Sequence, residues 1–424
     1  MLQVPFIRQN KELVLERLTL KNFKELALVD EVLALDDQRK KLTLEYDETQ
    51  AQINSLSKEI GKLMAQGKKE EGEQQRAAVN TLKEKLGPVN EQLNATEKAL
   101  HDTLVKLPNL PAAIVPPGKT PEDNVEVRNG GKIPELAADA VPHWDLARKY
   151  DLIDFELGNK ITGSGFPVYK NRGARLQRAL IQYFLDYNIS NGYTEYAPPY
   201  LVNETSAFGT GQLPDKEGQM YHATEDNYFL IPTAEVPVTN IFRDEILKDT
   251  DLPIKMTAYT PCFRREAGSY GKDVRGLNRV HQFDKVEIVQ IVHPEKSFDT
   301  LDEMVAHIEG LLNSLQLPYR ILRLCGGDMG FASAITYDFE VYSAAQQKWL
   351  EVSSVSNFET YQTNRMKIRF KENNGKPVLT HSLNGSSLAL PRIMACLLEN
   401  NQTADGIHLP PVLHTYFRGN KIEL

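Results

Sequence analysis

PCFRREAGSYGKDVRGLNRVHQFDKVE, residues 261–287, opens on Arg264-Arg265-Glu266 and closes on the apolar-flanked carboxylate Glu287. Between them lies a basic loop punctuated by glycine. An arginine on a rigid strand grips a phosphate through its planar fork of donors. Gly268, Gly271 and Gly276 allow the loop to bend over a ligand, and Lys272, Arg275 and Arg279 supply positive charge. Phe283 offers a ring on which a base can stack. Strand, basic loop, strand is a way to wrap a nucleotide. Taken alone, the stretch is more simply an ordinary hairpin with a solvated basic turn, since basic hairpins are common.

Outward toward the N-terminus, residues 28–107 carry two long heptad patterns. Val32, Leu35, Arg39, Leu42, Tyr46, Thr49, Ile53, Leu56, Ile60 and Leu63 follow alternating steps of three and four, and Val79, Leu82, Leu86, Val89, Leu93, Thr96, Leu100, Thr103 and Leu107 repeat the pattern. Sustained over four heptads, this predicts a coiled coil. The break at Ala65-Gln66-Gly67-Lys68-Lys69 makes it an antiparallel hairpin, with helices of about 40 residues giving an arm near 60 Å at about 1.5 Å per residue. Gly87-Pro88 falls inside the second helix and is expected to kink it. Such an arm is most simply a spacer or dimerisation hairpin. Lys58, Lys62, Lys68, Lys69 and Arg76 near the tip could touch phosphates, although acids are interleaved with them. Pro108 to Pro121 holds five prolines and reads as a linker. Beyond it, ARLQRALIQYFLDY (174–187) is amphipathic, and YTEYAPP (193–199) reads as a strand ending in proline. Strand-like runs at 285–292, 319–324, 338–342 and 349–353 lack a βαβ rhythm. The predicted fold class is therefore α+β: a two-helix arm, then a mostly antiparallel sheet flanked by helices.

Composition narrows the function classes. A chain of 424 residues with 41% hydrophobic and 25% charged content is an ordinary globular protein, and at roughly 100–200 residues per domain it holds two or three domains. A formal charge of −8 argues against gripping nucleic acid with the whole surface, so any RNA contact is local. Cys262, Cys325 and Cys396 have no CxxC spacing; buried thiols are expected, and no zinc. The opening MLQVPFIRQNKE lacks a secretory pattern and no apolar run reaches about 18 residues, so the expectation is a cytoplasmic chain that engages no membrane. There is no GxxxxGK[ST] loop, no GxGxxG after a strand, no HExxH and no nucleophile elbow. Gly163-Ser164-Gly165 is a turn.

Four short stretches carry further oxygen and charge. Thr233-Ala234-Glu235 follows an apolar run and could bond an ammonium group, or simply cap a helix. Glu287 sits between Val286 and Ile288, and burial opposite a cation or hydroxyl is expected. Glu351-Val352-Ser353-Ser354 offers a carboxylate and hydroxyls on a strand end, the ligand type magnesium takes when it also holds substrate phosphates. Asn384-Gly385-Ser386-Ser387-Leu388-Ala389-Leu390-Pro391-Arg392 is expected to begin a helix running to about Glu399.

Taken together and in order, these segments resemble the class II aminoacyl-tRNA synthetases, and RGLNRVHQFDKVE resembles the seryl-tRNA synthetase version of motif 2, bacterial type. The resemblance places motif 1 at about 174–199, motif 2 at about 259–289 and motif 3 at about 384–400. It implies an N-terminal tRNA-binding domain at 1–110 and a catalytic domain at 111–424, joined in a homodimer through motif 1. It further implies ATP-dependent activation of L-serine to seryl-adenylate, then transfer to the 3′ end of tRNA(Ser), and of tRNA(Sec) where one exists. The arm, in that family, reads the long variable arm of the tRNA by shape, as suits RNA helices.

Roles follow from the same resemblance. Thr233, Ala234, Glu235, Glu287, Asn384 and Ser386 form the serine pocket. Arg264 holds the α-phosphate, Phe283 stacks on adenine, and Glu266 with the Val280 backbone meets the adenine edge. Arg265, Val352 and Ser353 complete the ATP site, Arg279 and Arg392 neutralise pyrophosphate, and Glu351 and Ser354 hold Mg²⁺ with ATP. Asn357 supports the pocket, and Gly209-Thr210-Gly211-Gln212-Leu213-Pro214 is a lid. Ser387 and Pro391 stand where the family pattern has glycines, which loosens the expected placement of Arg392. The HIGH and KMSKS signatures of the other synthetase class are absent. Two rivals remain: a synthetase-like ligase that charges a carrier protein, which the complete arm disfavours, and an inactive RNA-binding scaffold, which the intact charged residues disfavour.

Overall fold

A computed structural model describes residues 1–215, 218–266, 275–372 and 375–423. Gly268, Gly271 and Lys272 of the basic loop lie outside these residues. The backbone divides into two compact units, Met1–Thr19 with Phe23–Pro108, and Leu20–Asn22 with Asn109–Leu424.

The first unit is helical. Helix α1 (Leu28–Ala65) and helix α2 (Lys69–Leu104) pack along their length. Every heptad position named above is buried or half-buried, while the residues between are largely exposed, so the steps of three and four do mark the seam. Toward the base, Thr103 donates to Glu31 across the pair at 3.0 Å. Buried Asp36 meets Arg8, Arg39 and Lys40 at 2.7–2.9 Å. Helix α2 continues through Pro88 instead of ending there. Gly87 and Pro88 sit on the exposed face, where water can serve the carbonyl that proline leaves without a donor.

The second unit is built on an eight-stranded sheet. In chain order its strands are β1 (Val125–Gly130), β2 (Thr194–Glu195), β3 (Ile254–Phe263), β4 (Gln282–Val292), β5 (Tyr319–Arg323), β6 (Ile335–Ser343), β7 (Lys348–Glu359) and β8 (His381–Ala389). They are ordered β1-β5-β6-β7-β8-β4-β3-β2, and every pairing is antiparallel except β2 with β3. Helices α3 (Asn171–Ser190), α4 (Glu204–Thr210), α5 (Glu235–Thr239), α6 (Ser297–Ser314), α7 (Tyr361–Met366) and α8 (Leu390–Asn400) complete the frame. The main core forms where α3, α6 and α8 contribute Leu176, Leu180, Phe184, Met304, Ile308, Ile393 and Leu397 against the sheet.

Strand β4 shows how the sheet positions chemistry. Val286 and Ile288 join the main core on one face, so the two-residue period turns Phe283, Lys285, Glu287, Val289 and Ile291 to the other. There Val289 and Ile291 pack with Ala234, Val238, Met366 and Ile368 in a smaller apolar cluster. Glu287 therefore sits where the polar part of this face meets apolar side chains, and it is 1% exposed.

Two expectations are corrected. Asn384 to Ser387 lie within β8, and the helix begins at Leu390 with Pro391 in its first turn. Pairing with β4 and β7 on both sides overrides the low strand preference of Asn, Gly and Ser. The proline-rich segment is no loose tether: Ala112 N donates to Ala334 O at 2.8 Å, Asn109 donates to the carbonyls of Ala332 and Phe358, and Val115 is buried.

Close approach makes Gly173 irreplaceable near the start of α3, because a Cβ there would lie 2.1 Å from the Leu152 carbonyl oxygen. Gly173→Ala is expected to cost about 1–3 kcal/mol through overpacking and to lower the thermal midpoint, read by calorimetry. An unchanged midpoint would show that this contact relaxes freely.

Candidate active site

The phosphate-type residues converge. Arg264, Glu266, Leu277, Asn278, Arg279, Val280, Phe283, Lys285, Glu351, Val352, Ser353, Ser386 and Arg392 line one cavity. Arg264 follows the end of β3; its Nε donates to the Pro232 carbonyl at 3.3 Å, and its guanidinium lies over the Phe283 ring, 5.3 Å from the centroid. Arg392, in the first turn of α8, donates through Nε to Asn278 O at 3.0 Å and through Nη1 to Glu351 O at 2.7 Å. Its Nη1 is also 3.7 Å from the Glu351 carboxylate. Arg279 pairs with Glu266 at 2.9 Å, linking the two described limbs of the basic loop.

Three polar groups cluster beside this cavity. Asn384 Nδ2 donates to Glu235 Oε2 at 2.8 Å and to Glu287 Oε1 at 2.9 Å, so one amide bridges two buried carboxylates. Lys285 Nζ stands 3.0 Å from Glu287 Oε2, but Oε2 accepts no hydrogen bond from the described residues. Lys285 offers this ion pair charge without hydrogen-bond alignment. Thr233 Oγ1 accepts from the Glu235 backbone N–H at 3.3 Å, and Ala234 is fully buried between them. Ser386 pairs directly with Glu287 across β8 and β4, and its carbonyl accepts from Ser353 Oγ at 2.6 Å. Burial, and then the neighbouring Glu287 charge, push the Glu235 carboxyl up to about 7.

Some expected residues fall apart from the cavity. Arg265 is exposed and is held there by its backbone, which donates to Gln219 O at 2.9 Å. Ser354 lines a second cavity with Thr210, Gly211, Glu235 and Asp338, whereas Glu351 lines the first. A bulge at Val352 of β7 sets Glu351 opposite Glu340 and Ser354 opposite Asp338, so the two side chains share one face despite their three-residue spacing. Helix α4 ends at Gly211, at φ +94°, and Gly211 to Pro214 border the second cavity. Asn357 is fully buried, and Ala334 N donates to its carbonyl at 2.9 Å. Lys285, Asn278 and Gln362 were missed by sequence reasoning. The same-face spacing of Lys285 from Glu287 could have found the first; Asn278 and Gln362 carry no such signal.

An antiparallel sheet with an arginine just past the end of one strand, a second arginine at a helix start and a carboxylate pocket between them is the class II synthetase core. Residues 219–401 match the family model of the tRNA synthetase class II core domain (G, H, P, S and T), and residues 1–111 match that of the seryl-tRNA synthetase N-terminal domain. The serine–tRNA ligase of Salinibacter ruber is 49% identical over 98% of both chains, and that of Neisseria meningitidis serogroup C is 47% identical over 99% of this chain and 98% of its own. A crystal structure of seryl-tRNA synthetase from Pyrococcus horikoshii complexed with ATP superposes with a TM-score of 0.92 at 32% identity, covering 100% of this chain and 99% of that one. The chain belongs to the seryl-tRNA synthetase family. Among the described residues, no helix is long and apolar enough to cross a membrane.

Proposed function

We propose that this chain activates L-serine with ATP to seryl-adenylate and transfers the seryl group to the 3′ end of tRNA(Ser), and of tRNA(Sec) where a tRNA with a suitable variable arm is present. The observation that carries this is the Glu235–Asn384–Glu287 cluster beside a cavity walled by Arg264, Arg279 and Arg392. The serine ammonium pairs with Glu235, assisted by Thr233 and the Ala234 backbone, and the hydroxyl meets Glu287 and Ser386. Glu287 Oε2, buried and accepting no hydrogen bond from the described residues, suits a hydroxyl donor.

The serine carboxylate attacks the α-phosphorus in line and pyrophosphate leaves; the tRNA hydroxyl then attacks the seryl carbonyl and AMP leaves. Positioning and charge stabilisation do the work. Arg264 holds the α-phosphate, Phe283 stacks on adenine, Glu266 and the Val280 backbone meet the adenine edge, and Arg279 and Arg392 take the pyrophosphate charge. Val352 and Ser353 form the floor beneath the nucleotide, and Arg265 reaches in from outside the cavity.

The donor set fits magnesium: the Glu351 carboxylate and Ser354 hydroxyl are hard oxygen ligands, and the Glu351 charge, after burial, helps lift the carboxyl of Asp338, which pairs with Ser354 across β6 and β7. Glu351 and Ser354 would hold Mg²⁺, which when bound screens the nucleotide phosphates. The arm binds the tRNA, a second copy docks through α3 and β2, and the chain works in the cytoplasm.

Serine-dependent ATP–pyrophosphate exchange, with alanine and threonine alongside, tests activation; charging of tRNA(Ser) tests transfer. Alanine leaves buried acceptors unsatisfied and is expected to be rejected by roughly 10⁴-fold. No exchange with serine would sink the proposal. The pH dependence is a second check. Glu235 must be ionised to pair with an ammonium, and its carboxyl titrates at about 7. The KM for serine is therefore expected to fall as pH rises from 6 to 8 and then level. A flat profile would remove Glu235 from this role.

A further inference from the structure

The amino-acid pocket has a support that touches no reacting atom. Gln362, on the six-residue helix α7, is 1% exposed and spends all its donors and an acceptor. Its Nε2 donates to Glu235 Oε1 at 2.6 Å and to the Thr210 carbonyl at 3.1 Å, and its Oε1 accepts from Ser382 Oγ at 2.8 Å. Two acceptors on the nitrogen side and a hydroxyl on the oxygen side allow only this orientation of the amide. One turn later, Arg365 donates to the carbonyls of Phe208 and Leu213 at 3.0 and 3.1 Å.

We propose that Gln362 is a positioning residue for the serine pocket, which fixes the plane of the Glu235 carboxylate and ties it to the end of helix α4 at Thr210. Asn384 holds Oε2 and Gln362 holds Oε1, so both oxygens are anchored and the carboxylate cannot turn about its own bond. With Asn384 alone, rotation would take the ammonium partner out of line. The Thr210 bond adds a second consequence. Thr210 and Gly211 border the cavity onto which Glu235 also opens, so the amide sets carboxylate and loop in one geometry. The proposal rests on the assignment of Glu235 to the serine ammonium.

Charge supports the same role. Glu235 faces Glu287 and Lys285 from β4 and Arg264 from the end of β3, while Arg365 of α7 turns to backbone carbonyls. Burial and Glu287 favour the protonated acid; the Gln362 hydrogen bond favours the carboxylate. Removing that bond leaves a pocket that needs higher pH to ionise.

The test is serine-dependent pyrophosphate exchange by Gln362→Leu from pH 6 to 9, with KM for serine and for ATP measured separately. A hydrogen bond to a charged group lost here moves the midpoint of the serine KM profile up by about one pH unit. The serine KM then rises about tenfold at pH 6 and about fivefold at pH 7, and approaches the parent value at pH 9, with KM for ATP unchanged. An equal defect at every pH, or none, would overturn the proposal. If Gln362→Leu does not fold, Ser382→Ala decides: a smaller shift in the same direction supports the role, and a parental profile overturns it. Glu235→Gln separates the two levels. If that variant keeps the parental serine KM, the pocket assignment itself fails; if it loses serine while Gln362→Leu is parental, only the positioning role fails.

Discussion

Arg264→Ala lowers serine-dependent pyrophosphate exchange by about 10²–10³-fold, the cost of losing one charge-stabilising donor in a transition state. The side chain is placed for this: Nε is tied to the Pro232 carbonyl, leaving the rest of the fork toward the cavity, and the Phe283 ring lies under its guanidinium. On the proposed roles, truncation removes a phosphate ligand and also the cation that faces the ring assigned to adenine. Arg264→Lys is expected to recover little, because an ammonium cannot reproduce the planar fork. Initial rates at saturating and limiting ATP would separate the two losses. A decrease below about tenfold would mean that Arg264 only braces the loop.

Removing the arm acts on the other half-reaction. Excision of residues 36–104, closed by a short linker, is expected to leave pyrophosphate exchange within about twofold while charging at limiting tRNA falls by about 10³-fold, the low end of what separates specific from non-specific nucleic-acid binding. The cut ends lie near each other: Thr103, just inside the excised segment, touches Glu31, just outside it, across the helix pair. The excised segment carries −2 of the chain's −8, so what remains is still acidic at −6 and offers little general attraction for RNA. Retained charging would return the arm to the role of a spacer.

How far the sequence could be read depended on periodicity. The heptad steps located the seam of α1 and α2 residue by residue, since a mispositioned seam would expose Val32, Leu42, Ile53 or Val79, all of which are buried. The apolar runs at 285–292, 319–324, 338–342 and 349–353 fall within β4, β6 and β7 and overlap β5. Where side chains are small and polar, the same approach failed. Asn384-Gly385-Ser386-Ser387 has no strand signature, and only the flanking β4 and β7 make it one. The bulge that returns Glu351 and Ser354 to one face leaves no trace in EVSS either. Gln362 lies on a helix too short for any period, and its partners Thr210, Glu235 and Ser382 are 152, 127 and 20 residues away along the chain.

Strand β4 bears Phe283, Lys285 and Glu287 at alternate positions of one face, so on the proposed roles nucleobase and amino acid are measured off along a single rigid ruler. At about 3.4 Å per residue, four residues set positions 283 and 287 about 14 Å apart along the strand. The two specificities are thus not separately tunable by length. Inserting or deleting one residue within 283–287 turns the marks on one side of the change to the opposite face, so ring and carboxylate no longer face one site, whereas substitutions at either end retune one and leave the other in place.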